Sequence, residues 1–275
     1  MTTILLPTDF SDNSLNAISY AFQFYRDQPC YFILLNISEE PKGPAGMMYS
    51  LNSKIKQFAV EDMKRFYNEK VQPLEISGNH KIVQRVSDGP FINIVNQINT
   101  DENVDLVIMG TQGASGLESK LMGSATSKVI KSGNRPLLAI PKNTRFSDLQ
   151  RFGLASDLRH IENKECLDPL VKTVDRFNGK LFVVHVFDDN HKIKEPVEIE
   201  GMSQLRNNLQ ELETAYHYIE SDNPTEGIES FISNNDIQML GLITRTHNFF
   251  NRLFIGSTTE KLSFRTDTPL FVMRE

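Results

Sequence analysis

Cysteine is nearly missing from this chain: two residues in 275, Cys30 and Cys166, and no tryptophan at all. Neither cysteine belongs to a CxxC pair, so a disulfide framework or a structural zinc site is not expected. Long apolar runs are missing too. Nothing approaches the roughly 18 to 20 consecutive apolar residues that a bilayer span requires. The opening stretch MTTILLPTDF has no basic n-region and no small-residue cleavage site. A signal peptide is therefore not expected, and the cytoplasm is the default location. An excess of positive charge is absent as well: 29 basic against 35 acidic residues give −6, with the signs mixed along the chain. Phosphate-backbone affinity needs clustered Lys and Arg, so nucleic acid is a poor partner, and the charge reads as solubility.

What is present is length and a repeating rhythm. A chain of this size suits two domains of about 140 residues, and 39% apolar residues suffice for two cores. Thr3 to Leu6 forms a short apolar run that ends at Pro7-Thr8-Asp9. Leu15, Ile18, Phe22 and Tyr25 then recur at the spacing of one helix face. Tyr31 to Ile37 (YFILLNI) suits a strand buried on both sides. Ser38 to Ser50 carries Pro41, Gly43, Pro44 and Gly46, which predicts a long loop, and a helix is expected from about Leu51 to Lys70. His80 to Val86 reads as a strand, Asp88-Gly89-Pro90 introduces a helix through Ile98, and Asp105 to Met109 (DLVIM) is a further strand. A Gly-rich loop, a helix near Ser124 to Lys131 and a strand at Pro136 to Ile140 complete the unit. Alternation of this kind implies a parallel sheet with helices on both faces.

After a seam near Phe146 to Gln150 the pattern restarts. Phe152 to Ser156 ends at Asp157 as the first strand ended at Asp9, and Leu181 to Phe187 matches the second strand. Met202, Leu205, Leu209, Leu212 and Tyr216 are spaced as one helix face. Ile237 to Thr244 mirrors the fourth strand, Gly256-Ser257 mirrors Gly123-Ser124, and PLFVM at Pro269 mirrors PLLAI at Pro136. The last two landmarks are each separated by 133 residues, which points to an internal duplication. The expected domains are residues 1–143 and 148–275.

The chemistry concentrates in MGTQGASGLESKLMGSATSKV, residues 109 to 129, whose glycines fit G-x2-G-x9-G-S. Gly110 and Gly113 would let the backbone turn tightly at a strand end and bring N–H groups near an anion. Gly123 and Ser124 stand where a helix begins, and there unpaired amides and the helix dipole attract phosphate; Ser124 and Thr126 add hydroxyls. In a doubly wound sheet, ligands bind beyond the carboxyl ends of the strands, so Asp9 can converge on this loop. A carboxylate beside a phosphate cradle suggests a nucleotide. The plainer readings make Asp9 and Asp157 helix N-caps, His185 a satisfied core histidine, and Lys120 and His247 ordinary loop residues. They also make the segment around Met47, Met48 and Tyr49 a connection rather than a lid.

The PTDFS start, the strand YFILLNI and the G-x2-G-x9-G-S loop together resemble the ATP-binding branch of the universal stress proteins, in two copies over nearly the whole chain. The resemblance implies two tandem doubly wound α/β domains, each an open five-stranded parallel sheet of the adenine nucleotide α-hydrolase-like type. It implies that Pro7, Thr8 and Asp9 face adenosine and that the Ile37 backbone contacts adenine. Met109, Gly110 and Gly113 would line the ribose and phosphate path, with Gly123, Ser124, Ala125 and Thr126 on the phosphates. The ligand would be ATP, ADP or AMP, with magnesium as a candidate companion. Family members pair through their last strands, so the two copies are expected to form an intrachain pseudo-dimer, alone or as a homodimer. The second copy departs from the pattern: Ile243 and Thr246 stand where Gly110 and Gly113 stood, amid Arg245, His247, Phe249 and Phe250. A β-branched residue adopts positive φ at a cost, and bulky side chains hold a pyrophosphate off the backbone, so no nucleotide or a different ligand is expected there.

Enzymatic alternatives find little support. The G-x-x-x-x-G-K-[ST] loop is absent, and the first turn reads PTDFSDNS rather than the HxGH or SGGxD of related transferases and pyrophosphatases. A regulatory binding module is the leading expectation; a nucleotide-free scaffold is the alternative. Calorimetry with ATP should give one nucleotide per chain, and Gly113→Val should abolish the heat of binding.

Overall fold

The computed structural model describes residues 1–38, 45–74, 79–112, 122–187, 196–244 and 267–275, with the backbone alone of 45–54 and 196–199. The chain divides into two compact units, Met1–Phe146 and Ser147–Glu275.

In the first unit the strands are β1 (Thr2–Pro7), β2 (Cys30–Ser38), β3 (Lys81–Asp88), β4 (Leu106–Gly110) and β5 (Leu137–Ile140). The helices are α1 (Asp12–Phe24), α2 (Ala45–Phe66), α3 (Phe91–Asp101) and α4 (Ser124–Ser132). All neighbouring strands pair in parallel in the order β3-β2-β1-β4-β5. The central strands are buried on both faces, as their dense apolar runs require; Ile4, Leu5, Leu6, Phe32, Ile33 and Leu34 have no solvent exposure. Edge strand β3, which mixes polar and apolar residues, stays partly exposed. The order turns back at β1, and the crevice beyond its carboxyl end is where an open α/β sheet holds a ligand.

The second unit contains β6 (Arg151–Ala155), α5 (Asp168–Arg176), β7 (Lys180–Phe187), α6 (Pro196–Asn208), β8 (Thr214–Glu220), α7 (Pro224–Asn234), β9 (Met239–Thr244) and β10 (Leu270–Arg274). Its parallel order, β8-β7-β6-β9-β10, is that of the first unit strand for strand. Among the described residues no helix is long and apolar enough to cross a membrane.

Three expectations change. The loop expected from Ser38 to Ser50 ends sooner, because α2 begins at Ala45: past the last proline, Ala and Met are strong helix formers and Gly46 is outweighed. Residues 39–44, with Pro41, Gly43 and Pro44, lie outside the described residues, as do the side chains of Met47, Met48 and Tyr49. The same helix ends as α at Phe66 and continues as one π-helical turn, Tyr67–Val71, that buries Val71 completely. The face read from Met202 to Tyr216 is also two elements: α6 stops at Asn208, and Tyr216 belongs to β8. The segment TAYHYIE is rich in aromatic and β-branched residues, and its pairing with β7 decides its state. The 3.6-residue spacing across the intervening turn is accidental.

His80 seals the amino end of β2. The Cys30 N–H donates to His80 Nδ1 at 3.3 Å, the ring packs edge-on against Phe32 at 5.0 Å, and Nε2 is buried with no partner among the described residues. Burial, which disfavours the charged ring, holds its pKa below the ordinary histidine value. A histidine with a depressed folded pKa contributes stability above its unfolded pKa, about 6.5, and loses it as pH falls toward the folded value. Thermal unfolding should therefore show wild-type Tm falling more steeply below about pH 6.5 than that of His80→Gln, which keeps a neutral acceptor for Cys30.

Candidate functional site

The cavity is built first by how β1 ends. The Thr8 N–H extends the ladder by donating to the Leu35 carbonyl at 2.8 Å. The chain then turns through Phe10, at φ 64, a left-handed conformation unusual for a bulky residue. Local bonds hold the turn. The Phe10 N–H donates to Thr8 Oγ1 at 3.0 Å, and Asp9 Oδ1 accepts from the Ser11 N–H at 3.2 Å and the Ser11 hydroxyl at 2.5 Å. Ser11, not Asp9, is the N-cap of α1, accepting from the Ser14 N–H. Asp9 is thereby left exposed at the strand end with its carboxylate oriented by its own turn.

The opposite wall comes from β4 and α4. Gly110 has no left-handed φ; among the described residues Gly89 is the only glycine with one. Glycine is needed at 110 for space. A Cβ there would lie 2.5 Å from Asn13 Nδ2 and 3.1 Å from the Asn13 carbonyl oxygen. Asn13 uses that proximity to donate to the Gln112 carbonyl at 2.5 Å. The buried Thr126 hydroxyl donates to the Gly110 carbonyl at 2.8 Å, so its proton ties α4 to β4 and is not free for a phosphate. The Gly123 N–H is likewise committed, donating to the Thr111 carbonyl at 2.5 Å. Gly123 caps α4 with no side-chain hydrogen bond. The amides of Ser124, Ala125 and Thr126 form the first turn, which has no intrahelical acceptors.

Between these walls lies a cavity of about 320 Å³. The structure brings Pro7, Thr8, Asp9, Ile37, Met109, Gly110, Gly123, Ser124, Ala125 and Thr126 to its lining. Gly113 and Lys120 lie outside the described residues. Sequence reasoning missed Ser14, Leu35, Asn36, Phe91 and Gln112, which also line it. Asn36 had a signal, a lone amide inside an apolar strand; it is buried and donates to the Thr8 carbonyl at 2.9 Å. Phe91 had none, because its place depends on where α3 docks. Asp9 is the one ionisable side chain among the described lining residues, and those residues hold no group of three or more His, Cys, Asp or Glu that could bind a metal.

The second unit repeats the turn. Ser156 N–H donates to the Val184 carbonyl at 3.0 Å, and Leu158 N–H donates to Ser156 Oγ at 3.1 Å with φ 55. His185 Nδ1 donates to the Ser156 carbonyl at 2.9 Å, where Asn36 donated to Thr8. Asp157 caps no helix: it accepts from the Arg159 N–H, and the next helical turn waits until Lys164. The strand registers place Ile243 where Gly110 stands. Residues 158–163 are irregular and clamped by α6. Gln204 makes two hydrogen bonds to the Ile161 backbone, and Gly201 lies so close that a Cβ would be 1.8 Å from the Leu158 carbonyl oxygen. The mirrored loop, with Thr246, His247 and Gly256-Ser257, lies outside the described residues.

Sheet order and a strand-end cavity define the class: a doubly wound α/β domain of the adenine nucleotide α-hydrolase-like fold. The model of the universal stress protein family matches residues 1–141, and the chain belongs to that family. Universal stress protein MJ0577 of Methanocaldococcus jannaschii is 31% identical over 154 residues, 50% of this chain and 94% of that protein. Universal stress protein MJ0531 of the same organism is 32% identical over 143 residues, 50% of this chain and 81% of that one. A universal stress protein from Archaeoglobus fulgidus DSM 4304 superposes over 99% of this chain and 96% of its own, with TM-score 0.66 and 19% identity, a likeness of fold.

Gly110→Ala should destabilise the first unit by about 1 to 3 kcal/mol, the usual cost of an overpacked contact. Denaturant unfolding measures it; an unchanged midpoint would refute the close-packing account.

Proposed function

We propose that the first unit is an adenine-nucleotide-binding regulatory module, with ATP the leading ligand and ADP or AMP able to occupy the same groove. The observation that carries the reading is the order of chemistries across the sheet. Leu35, Ile37 and Phe91 make an apolar end beside β2 and β3; Asp9 stands at the end of β1; the first-turn amides of α4 lie beyond β4. Base, ribose and phosphate follow each other in the same order. An apolar slot suits a base, a carboxylate accepts from ribose hydroxyls, and a helix N-terminus favours phosphate oxygens. A volume near 320 Å³ falls within the range of small-ligand pockets, roughly 300 to 1,000 Å³. Magnesium would arrive with the phosphates, since it binds through one or two carboxylates and phosphate oxygens rather than a dedicated protein cage.

In this reading the protein is cytoplasmic and works by binding, with any hydrolysis slow and incidental. The second unit, with Ile243 at the position of Gly110, holds no nucleotide. The two copies form the intrachain pseudo-dimer that the family likeness implies.

Titration calorimetry of the full chain with ATP tests this. One site per chain is expected. Phe91→Ala should weaken binding roughly tenfold, within the 1 to 3 kcal/mol typical of base–aromatic stacking, and Phe91→Tyr should restore it. Absence of heat at millimolar ATP would sink the proposal and favour a nucleotide-free scaffold.

A further inference from the structure

Helix α1 carries one stripe of residues, Asn13, Asn16, Tyr20 and Phe24, at spacings of three and four that place them on a single face. The top of the stripe lies beside residues of the cavity lining. Asn13 donates to the Gln112 carbonyl, the Ser11 hydroxyl binds Asp9, and the Ser14 hydroxyl shares a 2.8 Å hydrogen bond with Thr8.

The rest of the stripe holds the segment after β5. Asn16, only 6% exposed, donates through Nδ2 to the carbonyls of Pro141 at 3.2 Å, Lys142 at 3.3 Å and Thr144 at 2.9 Å. Arg145 donates to its Oδ1. Phe146 then packs edge-on against Tyr20 at 5.3 Å and against Phe24 at 6.4 Å. Residue 146 is the last of the first unit, so this strap is the chain's route onward.

We propose that α1 couples occupancy of the cavity to the strap 141–146, making the inter-unit connection the regulated output of the nucleotide site. The proposal rests on the nucleotide reading of the cavity. The coupling is local and physical. A ligand hydroxyl at Asp9 must share a carboxylate that now orients Ser11, the N-cap of α1, so occupancy bears on the helix itself. Gly110 leaves Asn13 no room to yield toward β4, so the helix transmits the bias along its stripe. Asn16 is one turn below Asn13, and its amide is the shared donor for three strap carbonyls. Coupling is reciprocal: whatever factor the ligand adds to strap closure, strap closure adds to ligand affinity.

Hydrogen exchange of the full chain, read by mass spectrometry with and without saturating ATP, tests it. In the wild type, ATP should slow exchange of the 142–146 amides by roughly fivefold or more, a typical coupling factor. In Asn16→Ala those amides should exchange fast with or without ATP, and the ATP Kd should rise by the same factor. Phe146→Ala, which orphans no buried polar group, should show a smaller change of the same sign and answers the question if Asn16→Ala does not fold. Protection confined to residues 9–14, or wild-type ATP affinity in both variants, overturns the coupling while the nucleotide site stands. No protection anywhere overturns both.

Discussion

The first turn of α1 can press against the end of β4 because residue 110 has no side chain. A Cβ at that point would stand 2.5 Å from the Asn13 amide nitrogen, so any other residue would push the helix start away. The close approach orients several groups together. Asn13 fixes the Gln112 carbonyl, Thr126 reaches the Gly110 carbonyl, and Gly123 bonds back to Thr111. The first turn of α4, whose amides have no intrahelical acceptors, lines the cavity. In the second unit Ile243 takes the equivalent place, and the segment after β6 runs irregularly from Leu158 to Asn163 before any helix begins.

The cavity lining offers oriented dipoles rather than clustered cations. Asp9 is the one ionisable side chain among the described lining residues, and the chain as a whole is acidic. Neutral backbone amides at a helix N-terminus can still favour an anion, because they are already oriented when the ligand arrives. An acidic net charge is thus compatible with a phosphorylated small molecule. The same economy explains why Thr126 matters though its proton is committed: by fastening α4 to β4 it aims the amides beside it.

Much of the architecture could be read from patterns that depend on neighbours in sequence. Buried parallel strands are dense apolar runs, so YFILLNI, DLVIM and LFVVHVF declared themselves, and Gly123-Ser124 marked the start of α4. Asn36 could have been read too, since an amide in an apolar strand must find a partner, and here it finds the Thr8 carbonyl. Other features had no local signal. β8 carries residues that also satisfy helical spacing, and only pairing with β7 settles its state. Phe91 reaches the cavity because of where α3 docks, and Asp9 is freed from capping because Phe10 takes a left-handed turn.

The sequence by itself determined the α/β class, because strand burial and helix periodicity are local properties of residue types. Only the tertiary structure decided which groups meet. The apolar slot, the carboxylate and the helix amides come from separate segments between Asp9 and Thr126, and it is sheet order that brings their ends to one crevice. It also decided the reason for Gly110, which is the space Asn13 occupies rather than a backbone torsion. A side chain's absence has meaning only once its neighbour's position is known.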